Sequence, residues 1–338
     1  MRRTGRSGAA KALTRFAKQV YNPRLSRKDI PMTKRVVILV LGLAAIRGLA
    51  LAQPPLPPAG TPGERLRAEG DIPGAIAEFE KAYASNPKDG KNLHALAGAL
   101  SINRRLDECF RYLALAAELE PSLDPLTDPD LVTARGDKRW AAFEDGLVAA
   151  HNAKFGAPIK DVEYAKALWK LYAWDQAFFV EVGIAGRKVG LKSSVAEALW
   201  TLKFLVQERN GAELEKLVAA KGWPRVGRVG REAAMAAYLV AMHSHKGLQL
   251  KYLADVRKIC EAGELPWERY ANLYDRGLFN ENKPQRYGTH TRYNEKTKAA
   301  ELYPLEDESR VDEWRRELGL PPLADYLRQF NIDFRPKK

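Results

Sequence analysis

Cysteine and histidine are scarce in this chain: 338 residues hold two cysteines, Cys109 and Cys260, and five histidines. Two cysteines do not make a disulfide framework. Both lie on apolar helical stripes, Cys109 with Leu113 and Ala116, Cys260 with Leu253 and Val256, and read as small buried hydrophobes. His243 and His245 would point about 200° apart on a helix, whereas a helical pair of metal ligands wants i, i+4. No metal site is therefore expected. Gly-x-Ser-x-Gly, phosphate-loop and dinucleotide fingerprints are all missing, so no cofactor is expected either. Long apolar runs are missing too. The run Val36–Ile46 would span about 16 Å as a helix, against a bilayer core about 30 Å thick.

That short run has a different meaning. Met32-Thr33-Lys34-Arg35 precedes it, and Ala50-Leu51-Ala52 follows Arg47. A charged start, an apolar stretch and a small-x-small end are the parts of a secretory signal peptide. Cleavage after Ala52 is expected, with an uncleaved anchor as the competing reading. The protein is then exported, periplasmic or secreted, with no membrane span after cleavage. Residues 1–31 read as upstream translation ahead of a true start at Met32, disordered if made.

The leader also carries the charge. The chain is +13, with 55 basic and 42 acidic residues. Nine basic residues and one acid fall in 1–31, and three more basic residues in 32–52, which leaves +2 for residues 53–338. Nucleic-acid binding needs a basic surface and not a basic leader, so no nucleic-acid partner is expected.

The organisation behind the leader is all-α. Residues 53–61 are a stiff proline-rich linker. Ala75, Phe79, Ala82 and Pro87 return 34 positions later as Cys109, Leu113, Ala116 and Pro121. That spacing resembles the tetratricopeptide repeat. The alanines would let paired helices touch, Phe79 would fill the groove, and the prolines would stop each second helix. Two repeats need a cap, and Asp128–Phe143, with Trp140 and Phe143, is the candidate. Residues 62–150 are thus expected to form repeats with a capping helix, and 160–330 a second helical domain. In that domain Val162–Val180 has helical spacing, Ser194-x-x-Glu197 is a capping box, Asn210-Gly211 breaks the helix, and Gly222-Trp223-Pro224 stops it. Gly230–His243 is apolar all round and expected at the centre. Further helices are expected near 247–262, 266–279, 309–318 and 322–329, with a small hairpin near Tyr287–Tyr303.

The second domain carries an ordered set of short motifs: Asp175-Gln176, Gly222-Trp223-Pro224, Val229-Gly230, His243, Asp275-Arg276, Gln285-Arg286-Tyr287-Gly288-Thr289 and Val311–Arg316 followed by Gly319-Leu320. The set resembles an uncharacterised bacterial domain family, domain of unknown function 6624, found on exported proteins and sometimes behind helical repeats. The resemblance brings no activity. It departs where Phe178 and Phe179 replace an arginine, Met242 a glutamine before the histidine, and His290 a glutamine after Gly-Thr.

Read physically, Gly222-Trp223-Pro224 and Val229-Gly230 suit a helix stop and close packing. His243 sits at the end of a buried helix, where the dipole favours an imidazolium. Asp275-Arg276 suits a loop-fixing ion pair or a ligand clamp. The loop Gln285–Thr289 concentrates donors and acceptors, as binding loops do. Catalytic candidates are His243, Asp275 and Tyr287; ligand-binding candidates are Arg276, Gln285, Thr289 and His290. These groups are expected to meet in one network. Two functions follow: an exported module that binds a protein or peptide through its repeats, and a hydrolase-type enzyme using His243 with Asp275, Arg276 and the Gln285–Thr289 loop. Nothing in the sequence assigns an oligomeric state.

Overall fold

The computed structural model describes residues 60–156, 158–244, 247–294, 297 and 299–335. The expected leader, the segment before it, most of the proline-rich linker and His245 lie outside the described residues.

The chain enters its first helix through a capping box. Thr61 accepts from the Glu64 amide, and the Glu64 carboxylate accepts from the Thr61 amide, ahead of α1 (Pro62–Glu69). Gly70 ends α1 at φ 85°, and Asp71 caps α2 (Ile72–Ser85). Asp89 caps α3 (Gly90–Ile102), and α4 (Leu106–Leu119) follows. Ala75, Phe79, Leu93, Leu96, Leu100, Cys109 and Leu113 fill the space between these helices.

One expectation fails here. Ala82 is exposed, and Tyr83 faces inward instead, edge-on to Tyr112 with ring centroids 5.3 Å apart. The cause is the length of α1. A Cβ on Gly63 would stand 2.5 Å from the Phe79 ring, so α1 begins at the level of Phe79 and leaves nothing of itself opposite Ala82.

Three short 3-10 turns, Asp124–Leu126, Pro129–Leu131 and Ala134–Gly136, lead into α5 (Trp140–Phe155). Phe143 of α5 meets Phe110 of α4, with ring centroids 6.3 Å apart.

The second half is built from α6 (Val162–Gln176), α7 (Phe179–Val189), α8 (Ser194–Lys221), a short α9 (Val226–Val229), α10 (Arg231–His243), α11 (Leu248–Lys251), α12 (Leu253–Glu261) and α13 (Trp267–Asn280). A two-stranded antiparallel hairpin, β1 (Thr291–Asn294) with β2 (Ala299–Leu302), pairs Thr291 with Leu302. Then come α14 (Val311–Glu317) and α15 (Leu323–Arg328). The fold is all-α with that one hairpin. As its composition requires, α10 is central: Ala233, Ala236, Ala237, Tyr238, Val240 and Ala241 are all buried.

Three local details differ from the sequence reading. Val162–Val180 is two helices, because Phe178 sits at φ 71° and breaks the path. The cap of α8 is Ser193, whose hydroxyl accepts from the Ala196 amide, one residue earlier than expected. Asn210-Gly211 does not break α8. Asn210 Nδ2 donates to the Leu171 carbonyl at 3.0 Å, and a Cβ on Gly211 would stand 3.0 Å from Ser244 Oγ. The pair lets α8 approach its neighbours closely rather than ending it.

One hydrophobic core runs from Ala75 through Leu320, and a small satellite core gathers Val311, Leu323 and Leu327. Front and rear are also tied by charge. Arg67 Nε donates to Asp130 at 2.8 Å, and its Nη2 lies 2.9 Å from Glu181 on α7. Both cysteines are buried and free. Burial pushes the Cys109 thiol up to about 12 and the Cys260 thiol up to about 11, so neither is a reactive thiolate. No helix among the described residues is long and apolar enough to cross a membrane.

Candidate functional site

The polar residues of the rear half gather into two clusters. The first is the loop after α13. Asp275 is buried on the inner face of that helix. Its Oδ1 accepts from the Arg286 amide at 2.9 Å and the Tyr287 amide at 3.1 Å. Its Oδ2 accepts from the Thr289 amide at 3.0 Å and from Thr289 Oγ1 at 2.9 Å. One carboxylate thus organises the whole turn. Burial pushes the Asp275 carboxyl up, and those same amide and hydroxyl donors pull against it.

Gln285 completes the turn. Its Nε2 donates to the carbonyls of His290 and Tyr303, at 2.9 and 2.8 Å, and its Oε1 accepts from the His290 amide at 2.8 Å. Gly288 takes φ 72°, and a Cβ there would stand 2.6 Å from Leu323, so the loop passes directly over α15. Arg315 is buried and donates to the carbonyls of Tyr287 and Pro321, at 2.6 and 2.7 Å. His290 Nδ1 lies 2.9 Å from Thr289 Oγ1. Because that hydroxyl already donates to Asp275, the imidazole must be the donor, with its proton on Nδ1. Burial, aided by the Arg276 charge, holds the His290 imidazole down at about 3. It is therefore neutral at ordinary pH.

The second cluster lies where α6, α8 and α10 meet. His243, the last residue of α10, places Nδ1 2.6 Å from Oδ2 of Asp175 on α6. Asp175 is 1% exposed at its side chain and His243 23%. The carboxylate is locked away while the imidazole reaches the surface. Gln176 Nε2 donates to the same Oδ2 at 2.7 Å, and Oδ1 of Asp175 has no partner among the described residues. Lys203 of α8 is buried beneath. Its ammonium donates to the Asp175 and Ala177 carbonyls, at 2.5 and 3.4 Å, and stands 3.2 Å over the Phe179 ring. Burial brings its value down to about 8. Phe179 in turn sits edge-on to the His243 ring, with centroids 6.1 Å apart.

The residues of both clusters, from Asp175 to Arg315, lie inside one matched segment. The family model for the Family of unknown function (DUF6624) matches residues 163–336. The chain belongs to this family. No curated protein and no solved structure matches the chain.

Within the DUF6624 segment the structure brings Asp275, Gln285, Tyr287, Thr289 and His290 together. It does not join His243 to them. Among the described residues no hydrogen bond, ion pair or ring contact links His243 to Arg276 or Tyr287. The Tyr287 ring instead packs edge-on against Tyr270 and Tyr274. The chemistry of the two clusters also differs. The loop cluster spends its polar groups on backbone amides and carbonyls, which fixes a shape. The His243 cluster keeps a buried carboxylate behind a part-exposed imidazole whose Nε2 has no hydrogen bond among the described residues. With its proton on Nδ1, Nε2 is a free acceptor.

Two groups important to this arrangement, Asp175 and Lys203, were not candidates from sequence. Their signal was present: a carboxylate and an ammonium on otherwise apolar helical faces, where an unpaired charge is costly. Among the described residues no three metal-ligating side chains gather. Two clefts of about 450 Å³ are lined by residues of neither cluster, one at Arg328 and Asn331 and one at the front, between Lys91, Leu113, Ala117, Asp124 and Phe143.

Proposed function

We propose that this is an exported binding protein, carried by the signal-like segment Met32–Ala52 to the periplasm or beyond. In this reading the helices α1–α4 form two tetratricopeptide-like hairpins that hold a protein or peptide, and the DUF6624 segment is a helical module for a small ligand. The observation that carries the first part is the front cleft. Leu113, Ala116, Phe143 and Leu147 supply an apolar floor, and Lys88, Lys91, Glu120 and Asp124 a charged rim. Such a floor and rim suit an amphipathic peptide segment.

The test is photo-crosslinking in intact cells. A crosslinker at Ala117, within the cleft, is expected to give a discrete adduct that the same group at the exposed Lys81 does not. No adduct, or equal adducts at both positions, removes the cleft as a binding face. Sequencing the exported chain from its N-terminus is expected to begin at Gln53.

A second reading rests on the 2.6 Å contact between Asp175 and His243. It makes the DUF6624 segment a hydrolase-type enzyme. Nε2 of His243 would take a proton from a water as its oxygen bonds to a substrate carbonyl carbon, then return that proton to the leaving group as its bond breaks. Asp175 positions the ring, as a buried carboxylate does for a histidine base. In this reading Asp175, and not Asp275, is the partner of His243, while Asp275 and the Gln285–Thr289 loop are a separate structural lock. His243→Gln is then expected to abolish turnover of an ester panel at a temperature where the variant is still fully folded, a loss far larger than its change in stability accounts for.

A further inference from the structure

Helices at the surface of a globular protein ordinarily turn their large apolar side chains inward. The α7–α8 hairpin departs from this. Six of the nine large apolar side chains that stand exposed among the described residues belong to these two helices and the turn between them. Three of the six bracket that turn. Val189 at the end of α7 is 56% exposed, Leu191 in the turn 42%, and Val195 at the start of α8 53%. A single exposed valine is unremarkable in a folded protein. Several together on one short turn mark a contact surface.

The turn has a fixed backbone. Gly190 takes φ 89°, and the amide and hydroxyl of Ser193 both donate to its carbonyl, at 3.1 and 2.7 Å. The same hydroxyl accepts from the Ala196 amide at 3.2 Å, which ties the turn to the first turn of α8. Leu191 folds back over Gly186, where a Cβ would stand 2.5 Å from its side chain. The helix before the turn is fastened as well: Glu181 meets Arg67 of α1 at 2.9 Å, and Arg187 donates to the Ala68 carbonyl at 2.8 Å. Charge at the turn has one sign. From Val182 to Ala196 the chain carries Arg187, Lys188 and Lys192 and no acid. Lys188 and Lys192 are exposed and make no ion pair among the described residues. The flanking acids are placed elsewhere. Glu181 is engaged by Arg67, and Glu197 lies in the first turn of α8, where the helix amides favour a carboxylate.

Unpaired ammonium groups set among exposed apolar side chains complement a surface that is anionic outside and apolar within. An anionic phospholipid bilayer is such a surface: its phosphates attract lysines, and its acyl boundary takes up apolar side chains. Lysine stems can lie along apolar surface while their ammonium groups stay at the phosphates. We propose that the α7–α8 turn is a membrane-docking tip, with Lys188 and Lys192 on the phosphates of an anionic bilayer and Val189, Leu191 and Val195 in its acyl boundary. The attachment is shallow and reversible, since three short side chains bury little apolar area and no backbone crosses the bilayer. It adds a second surface to the front cleft and does not depend on what that cleft holds.

The experiment places an environment-sensitive fluorophore on the full chain through Val189→Cys and, as a control, through Lys81→Cys at an exposed position of α2. Both native cysteines are buried, so labelling is directed to the introduced thiol. Each chain is titrated with vesicles of phosphatidylcholine, with and without phosphatidylglycerol. With phosphatidylglycerol, the label at position 189 is expected to shift to the blue and that at position 81 to stay unchanged. Added salt should reduce the shift, and Lys188→Glu combined with Lys192→Glu should raise the lipid concentration it needs by several-fold or more. Should the Val189→Cys chain fail to fold, Val195→Cys carries the label instead. The label reads its own surroundings, so vesicle binding without the shift assigns attachment to another segment, such as Met32–Ala52, and overturns the tip. An equal shift on phosphatidylcholine alone, or in the lysine variant, overturns it too, because charge complementarity is then idle. A shift that grows with protein concentration in the absence of vesicles gives the patch to a second copy of the chain and likewise overturns it.

Discussion

His243 Nδ1 and Asp175 Oδ2 stand 2.6 Å apart although 68 residues separate them in the chain. The contact joins the last turn of α10 to the last turn of α6, so each partner fixes where the other helix ends. Gln176 donates to the same oxygen, and the buried Lys203 holds the carbonyl of Asp175 from below. A double-mutant cycle isolates the pair. Asp175→Asn and His243→Gln are each expected to destabilise the fold by about 1–3 kcal/mol, the cost of leaving a buried polar group unmatched. Their coupling should be about 0.5–3 kcal/mol. Urea denaturation of the four chains measures it, and additive effects would show that the contact contributes nothing.

Lys203 gives a pH signature. Burial lowers its value from 10.5 to about 8, so between these limits the unfolded chain binds a proton that the folded chain does not. Stability contributed by this group therefore rises as pH increases from about 8 to 10.5. Lys203→Met should lose that rise. It should also cost about 1–3 kcal/mol at neutral pH, because the Asp175 and Ala177 carbonyls lose their donor. Melting curves from pH 7 to 10.5 on both chains check slope and offset together.

His290 titrates on the other side. The unfolded imidazole takes a proton near 6.5, the folded one only near about 3. Across that window the unfolded state holds more protons, so stability falls as pH drops from about 6.5 toward 3. His290→Gln keeps a donor for Thr289 Oγ1 and removes the titrating group. Its melting temperature is expected to fall less steeply between pH 6.5 and 4 than that of the native chain. Equal slopes would place the acid sensitivity elsewhere.

How much of this was legible in the sequence follows from the range of each interaction. Periodicity is local, and the helices it marks are present: Gly230–His243 is apolar all round and lies at the centre. Loop chemistry is local as well, and Asp275 and the Gln285–Thr289 segment lie close enough in sequence to suggest one unit. Asp175–His243 is not local. Nothing in the sequence around either residue names the other, so sequence alone groups His243 with Asp275 and the Gln285–Thr289 loop instead. Asn210-Gly211 misled for a related reason. The pair reads as a helix break by composition, but its small and amide side chains serve contacts with Ser244 and Leu171. Ala82 misled for a different reason: a short first helix opening near Pro62 is legible in the sequence, but not that its first turn lies against Phe79 and leaves Ala82 uncovered.

Asp275 is expected to be the most sensitive single position. Three amides and one hydroxyl converge on its carboxylate in a buried setting. Asp275→Ala leaves all of them without an acceptor. The cost should reach about 3 kcal/mol or more, since each unsatisfied buried donor costs about 1–3 kcal/mol and the loop relaxes only in part. Hydrogen exchange separates a local from a global effect. The amides of Arg286, Tyr287 and Thr289 should lose protection in the variant, while those of α10 keep theirs relative to the new global stability. Unchanged exchange at the three loop amides would mean that Asp275 does not hold the turn.

The front helices offer a test of register that needs no partner. Ala75 and Ala82 lie seven residues apart on one face of α2, and a regular repeat treats them alike. The structure does not: Ala75 is fully buried, and Ala82 is exposed past the start of α1. Ala75→Leu inserts a branched side chain among Ile76, Phe79 and Leu93, which have no space to yield, and should cost about 1–3 kcal/mol through overpacking. Ala82→Leu meets solvent and should change stability by no more than about 0.5 kcal/mol. Chemical denaturation of both variants compares them directly. Equal costs would mean that α1 extends over Ala82 and that the hairpin is the regular one its spacing suggests. A cost at Ala75 alone confirms that α2 runs free of α1 at its last turn, so that Tyr83, through its ring contact with Tyr112, carries the packing there.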